Sequence, residues 1–150
     1  MDIQVGNISN IIQLAIAPVF LLAGVGTNLA VLTNRLARII DRSRVLEGRL
    51  DGGGEGACSE EIHIELSTLY RRAHLINRAI TLSTSCALLV CVVIATLFIG
   101  GALQLKLALF IALCFVFGMF ALIGSFFYFL REIFVATRTL SVRHLHMLKR

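Results

Sequence analysis

Arginines at the two ends of a charged stretch are the side chains in this sequence best suited to specific chemistry. Together with one acid and one amide they form a predicted charge cluster of Arg35, Arg38, Asp41, Arg42, Arg71, Arg72, Asn77 and Arg78. Guanidinium groups bind carboxylates and phosphates through paired hydrogen bonds, so we expect Asp41 to accept bonds from neighbouring arginines. Two interpretations stay open: the cluster binds an anion or a lipid or takes part in gating, or the arginines only anchor helices among lipid headgroups.

The residue types used for catalysis and metal binding form no recognisable pattern. His144 and His146 are two residues apart, and His63 and His74 are eleven apart with no cysteine ligands nearby. The glycines of 52–56 lack the Lys-Ser or Lys-Thr that follows in a phosphate-binding loop. Ion-coupled transporters keep an acidic, histidine or basic side chain at membrane depth, and the charge-free segments have none. We therefore predict that the protein is not an enzyme and uses no metal or cofactor.

The composition is that of a membrane protein, with 57% apolar and 15% charged residues. Residues 3–34, 79–105 and 107–130 contain no Asp, Glu, Lys, Arg or His. Each of these segments is longer than the roughly 20 residues needed to cross a hydrocarbon core of about 30 Å. The predicted membrane-spanning helices cover residues 11–33, 79–99 and 105–130.

The distribution of Lys and Arg predicts the orientation in the membrane. Thirteen of the fourteen lie in residues 34–78 or in the tail 131–150, and the other is Lys106. Positive charge marks the cytoplasmic side, so the N-terminus is expected outside and the C-terminus inside. Anionic headgroups would attract the arginines by about 1 kcal/mol each. Nucleic acid is not an expected partner, because the arginines alternate with apolar residues beside the membrane.

A heptad pattern organises the charged stretch 34–78 and the ends of the adjoining helices. Apolar positions recur in steps of four and three on both sides of the glycine-rich loop, a pattern typical of coiled coils. If the two sides fold back on each other, facing residues such as Leu46 and Leu66 have numbers that sum to 112. The predicted seam consists of Leu32, Leu36, Ile39, Ser43, Leu46 and Leu50, with Ile62, Leu66, Leu69, Ala73, Ile76 and Ile80.

The predicted fold is an all-α membrane protein of a single domain. The first two membrane-spanning helices extend into a cytoplasmic antiparallel coiled-coil hairpin, and the third continues into a cytoplasmic C-terminal helix. A turn is expected at Gly100 and Gly101, and the returning arm of the hairpin is expected to begin at Ser59.

Small and polar residues on the membrane-spanning helices predict contacts with other helices. The candidate stripe consists of Gln13, Ala17, Gly24, Asn28, Thr81 and Thr84. In lipid, small side chains allow close packing and polar side chains form interhelical hydrogen bonds. The stripe therefore belongs either to the packing of a scaffold-like assembly or to the wall of a pore formed by several copies.

Homo-oligomerisation is predicted from apolar residues outside the seam. Ile40, Val45, Ile64 and Leu75 are expected to face water in a lone hairpin, and such exposure is usually covered by a partner. The predicted function is that of a homo-oligomeric membrane protein with a scaffold or regulatory role; the alternative is a channel subunit.

Three motifs make the chain similar to a known family. They are Ala-Pro-Val-Phe-Leu-Leu-Ala at residues 17–23, Asn-Arg-Leu-Ala-Arg-Ile-Ile-Asp-Arg-Ser-Arg at 34–44, and Leu-Tyr-Arg-Arg-Ala-His-Leu-Ile-Asn-Arg-Ala at 69–79. Over nearly its whole length the chain resembles a family of small bacterial inner-membrane proteins known only as a domain of unknown function. The resemblance implies three spans in a bacterial inner membrane, and it supplies no substrate, cofactor or catalytic residue.

Overall fold

A computed structural model describes the backbone of residues 2–51, 57–103 and 107–147, and the side chains of 9–50, 60, 62–101 and 107–137. All regular structure in these ranges is helical. Each helix is long and apolar enough to cross a membrane, so the predicted three-helix, multi-pass architecture is confirmed. The helices are α1 (Asp2–Asp51), α2 (Ala57–Leu103) and α3 (Ala108–Met147).

Two predicted helix boundaries differ from the structure. The turn expected at Gly100 and Gly101 is wrong, because α2 continues through both residues. A glycine inside a helix costs about 1 kcal/mol relative to alanine. At position 101, however, a Cβ would collide with the side chain of Ile11, so only glycine fits without a shift of Ile11. The start of α2 lies two residues before the predicted cap Ser59. The glycine loop 52–56 lies outside the described residues.

The chain divides into two compact units. The apolar unit comprises Met1–Ala30 and Thr81–Ser125, and the charged unit comprises Val31–Ile80 and Phe126–Arg150. Every Asp, Glu, Lys and Arg except Asp2 and Lys106 belongs to the charged unit. The two units therefore need different interactions to hold their helices together.

All three helices contribute to one buried cluster in the apolar unit. The cluster contains Val25 from α1, Cys86 and Val90 from α2, and Leu122 from α3. At Gly118 of α3, an added Cβ would already be in van der Waals contact with α2. The small residue thus allows the close backbone approach that favours helix packing in lipid.

Two contacts define how α1 and α2 are aligned within the apolar unit. The side-chain amide of Asn28 donates a hydrogen bond to the Ser83 hydroxyl at 3.3 Å. Nearer the other end of α1, the Ile11 side chain lies against Gly101. The residue numbers sum to 111 and 112, so the helices run antiparallel. Residue n of α1 in this unit lies level with residue 112−n of α2, give or take one.

The charged unit is built around the residues of the predicted seam. Ten of the twelve lie in one cluster, all except Ser43 and Leu50. Tyr128 and Phe129 of α3 pack against the same cluster, so it involves three helices instead of two. Packing of the predicted residues is therefore observed, whereas a regular supercoil of α1 with α2 stays a prediction.

Three of the four apolar residues predicted to be exposed outside the seam are exposed in the structure. Ile40, Val45 and Ile64 are exposed, but Leu75 is buried, contrary to the prediction. The prediction considered two helices, whereas α3 also packs in this unit, and three packed helices bury more surface than a seam of two.

Candidate functional site

A fully buried glutamate lies in the charged unit, next to arginines of the two other helices. The side chain of Glu132 on α3 has no exposed area. Arg72 on α2 donates two hydrogen bonds to Glu132 Oε1, from Nε at 3.0 Å and from Nη2 at 2.8 Å. These charge-assisted bonds provide the stabilisation that a buried carboxylate requires.

Arg35 on α1 also contacts Glu132, through the second carboxylate oxygen. Its Nη2 lies 3.5 Å from Glu132 Oε2, an ion pair without a hydrogen bond. The guanidinium carbon of Arg35 also lies 5.2 Å from the ring centroid of Phe129, a cation–π contact. The side chains of Arg35 and Arg72 remain 34% and 22% exposed. We refer to Arg35, Arg72, Glu132 and Phe129 as the arginine clamp.

The alignment of α1 and α2 explains why two arginines meet at this point. Arg42 donates from Nε and Nη2 to Glu65 Oε1 at 3.1 and 2.9 Å, and the two residue numbers sum to 107. Seven residues along both antiparallel helices, the corresponding pair is Arg35 and Arg72, with the same sum. Two like charges would destabilise this pairing, and Glu132 of the third helix provides the missing acid.

A count of donors shows what the arginine clamp can bind. A guanidinium carries five N–H donors. Arg72 uses two of its donors for Glu132, and Arg35 makes no hydrogen bond to any residue that the structure describes. Two arginines and one carboxylate also leave a net charge of +1. The clamp therefore combines free donors, partial exposure and one uncompensated positive charge, which are the requirements for binding a single anion.

The other members of the predicted charge cluster are distributed differently. Arg42 pairs with Glu65 instead of Asp41. Asp41 itself is exposed and forms no hydrogen bond or ion pair with the described part of the chain, so the structure does not place it as the acceptor for the arginines. Four further members are also exposed, and they are Arg38, Arg71, Asn77 and Arg78. The predicted charge cluster thus divides into the two arginines of the clamp, Arg42 in its pair with Glu65, and an exposed set.

The candidate stripe also divides into two sets. Asn28 is half-buried and bonds to the buried hydroxyl of Ser83, so it takes part in packing within the chain. The other five members are exposed, and they are Gln13, Ala17, Gly24, Thr81 and Thr84. An added Cβ at Gly24 would meet no atom within 4 Å, so this face of α1 is open within the chain.

Glu132 is the functional candidate that the sequence analysis did not select. Two features of the sequence point to this residue. It is the only acidic residue after Glu65, and it comes two residues after the charge-free segment 107–130. The heptad alignment also places Arg35 opposite Arg72, which predicts a need for an acid from elsewhere in the chain. No three His, Cys, Asp or Glu residues in the described ranges are placed to hold a metal ion.

Comparison with known proteins gives one match. A family described as "Protein of unknown function (DUF2721)" matches residues 15–142, which include the arginine clamp, all of α2 and most of α1 and α3. No curated protein and no solved structure matches the chain.

Proposed function

The chain belongs to the DUF2721 family of proteins of unknown function, and we propose that it is a non-enzymatic membrane protein that assembles into a homo-oligomer with a scaffold or regulatory role. The observation that carries this proposal is the chemistry of the exposed helix faces in the apolar unit. In lipid, a face is covered either by acyl chains or by another helix, and its side chains indicate which.

The exposed faces of α1 and α2 in the apolar unit are rich in small and polar residues. Their spacings are four, seven and three residues on α1, and three, seven and four residues on α2. Such residues gain little from contact with acyl chains, but they allow helices to approach closely. They are Gln13, Ala17, Gly24 and Thr27 on α1, and Thr81, Thr84, Cys91 and Ala95 on α2.

One exposed row of residues on α3 in the same unit has the opposite character, although Ala108 and Ala112 beside it are small. Its residues follow alternating steps of four and three, but every one is large and apolar. They are Leu109, Leu113, Val116, Phe120 and Ile123. This face suits acyl chains, so within one unit α3 is the lipid-facing candidate, and α1 and α2 are the protein-facing candidates.

The alignment of α1 with α2 supports a specific pairing between copies. Gly24 lies level with Leu88, which is 62% exposed, and Phe20, which is 74% exposed, lies level with Cys91. Copies inserted in the same direction would therefore present a large residue opposite a small one at two successive levels. Because the α1 face and the α2 face are different surfaces, the contact is heterologous and can close into a ring.

Cysteine crosslinking between copies tests this pairing. In a cysteine-free background, a chain carrying Gly24→Cys is co-expressed with a differently tagged chain carrying Leu88→Cys, and oxidation is expected to give the mixed dimer. Each variant expressed alone should give little crosslinking. A matched control replaces Gly24→Cys with Phe120→Cys on the lipid-facing candidate face. A mixed dimer no more abundant than in this control contradicts the pairing, and a monodisperse monomer by light scattering contradicts the assembly.

The proposal includes a bacterial inner membrane with the N-terminus outside and the C-terminus in the cytoplasm. It is supported by the position of thirteen of the fourteen Lys and Arg residues in the charged unit, since positive segments are retained in the cytoplasm. A thiol reagent that cannot cross the membrane should label a cysteine introduced at position 4 and not one at position 54. The reverse labelling would contradict the orientation.

A channel subunit is the second candidate. It is favoured by Gln13 and Thr27, which place polar groups on the exposed face of α1. Within the apolar unit of one chain, a groove of about 360 Å³ is lined by apolar residues such as Leu14, Val93 and Phe115, so a polar path would need several copies. Purified protein in liposomes should release potassium if a pore forms. Absence of flux from crosslinked oligomers would favour the scaffold.

A further inference from the structure

We propose that Arg35 and Arg72, oriented by Glu132, bind the phosphodiester group of an anionic lipid. The side chains of both arginines are partly exposed, and both guanidinium groups are directed at the same carboxylate. That carboxylate is buried and out of reach of a ligand, so it acts as a positioning residue. The lipid contacts the outer N–H groups of the arginines.

The charge of the clamp selects the class of ligand. Two arginines and one glutamate sum to +1, which matches the single negative charge of a phosphodiester. Arg72 donates to Oε1 through Nε and one Nη, and its remaining N–H groups can serve a second acceptor. Arg35 makes no hydrogen bond within the described residues. Its N–H groups can therefore bind a phosphate oxygen without the loss of an existing hydrogen bond.

The sequence around the clamp favours a lipid over a free anion. Arg35 is the first charged residue after the charge-free segment 3–34, and Glu132 comes two residues after the charge-free segment 107–130. Charged residues at the ends of membrane-spanning segments are placed at the depth of the headgroups. The Phe129 ring beside Arg35 adds an apolar surface suited to the upper part of an acyl chain.

Glu132 distinguishes an oriented site from simple charge attraction. If net charge alone attracts the lipid, Glu132→Gln raises the clamp from +1 to +2 and strengthens binding. If orientation matters, the same change removes the carboxylate charge that holds both guanidinium groups in place, and it weakens binding. The two explanations therefore predict opposite signs for one substitution.

The test measures binding of phosphatidylglycerol to the full-length protein in detergent micelles by native mass spectrometry. We expect Arg35→Gln to weaken binding about tenfold, the effect of losing charged hydrogen bonds. Arg44→Gln is the matched control, because Arg44 is exposed on the same helix and its substitution removes the same charge. Equal losses in the two variants would overturn the site.

Three further measurements complete the test. Arg35→Lys keeps the charge but loses the planar fork, and we expect it to bind as weakly as Arg35→Gln. Glu132→Gln should also bind more weakly, and stronger binding would overturn the role of Glu132. Because Glu132→Gln could also unfold the chain, the Arg35→Lys result decides the proposal independently. Phosphatidylcholine and free glycerophosphoglycerol, the water-soluble phosphodiester headgroup, should bind at least about tenfold more weakly than phosphatidylglycerol; equal binding of either one would overturn the assignment to an anionic lipid.

Discussion

The apolar and charged units each pack three helices together, but they differ in the polar contacts between those helices. In the apolar unit, α1 and α2 are joined by a neutral hydrogen bond from Asn28 to Ser83. In the charged unit, α2 and α3 are joined by two bonds from Arg72 to the buried carboxylate of Glu132. A neutral pair costs little to bury, whereas an ion pair is tolerated only when its geometry and remaining bonds compensate for lost hydration.

The difference shows which contact carries specificity in each unit. In the charged unit, the apolar cluster supplies stabilisation, and Glu132 fixes which stretch of α3 lies against the paired arginines. In the apolar unit, close approach of the helices at residues such as Gly118 supplies both the stabilisation and the specificity. Substitutions should therefore cost most where a charge is buried and least where a charge is partly hydrated.

Removal of Arg72 should have the largest effect. Arg72→Met keeps much of the aliphatic stem but leaves the carboxylate of Glu132 with only the longer contact to Arg35. Breaking a buried ion pair on one side costs about 3–5 kcal/mol. The free energy of unfolding, measured by denaturant titration in detergent micelles, should fall by this amount.

A double substitution separates this charge effect from loss of packing. Arg72→Met combined with Glu132→Leu leaves no buried charge, so most of the lost stability should return. If the double variant is as unstable as the single variant, the contact contributes by shape and not by charge, and the contrast between the two units weakens.

A second prediction concerns the apolar cluster of the charged unit. Leu46 is buried in this cluster, and its neighbour Val45 is exposed. Leu46→Ala should lower the free energy of unfolding by about 2–4 kcal/mol through lost burial and a cavity. Val45→Ala, the matched control, should change it by about 0.5 kcal/mol or less. Similar effects at both positions would mean that the seam is not the core of this unit.

Parts of this fold could be predicted because they follow from local periodicity. The apolar residues of the seam recur in steps of four and three on both α1 and α2, so the residues that pack in the seam could be predicted from the sequence. Asn28 could not be separated from its neighbour Thr27 in this way. The two are about 100° apart around the helix, and only the position of α2 determines that Asn28 faces inward and Thr27 outward.

The arginine clamp was less predictable, because its acid comes from a third helix. Arg35 and Arg72 were selected as members of a charge cluster, but Asp41 was expected to join them. Periodicity along α1 and α2 gives no information on which residue of α3 packs against them. Glu132 lies sixty residues from Arg72, so its contact depends on the docking of α3.

The neutral contact of the apolar unit should give a smaller effect. Asn28→Ala removes the hydrogen bond to Ser83, and interhelical bonds of this kind in membranes contribute about 0.6 kcal/mol, with a maximum near 1.7. Ser83→Ala is the matched partner, and the double variant should lose no more than either single one. A loss as large as that of Arg72→Met would remove the distinction between neutral and ionic contacts.

The smallest effect is expected at the exposed ion pair. Arg42 and Glu65 have the same bond geometry as Arg72 and Glu132, with Nε and Nη2 both donating to one Oε1. Their side chains, however, are 41% and 27% exposed, so water can replace either partner. Arg42→Met should therefore cost at most about 1 kcal/mol. In a double-mutant cycle with Glu65→Gln, the coupling should shrink further as salt is raised, because exposed charges are screened. A salt-independent loss comparable to that of Arg72→Met would mean that burial does not control the strength of these two geometrically matched pairs.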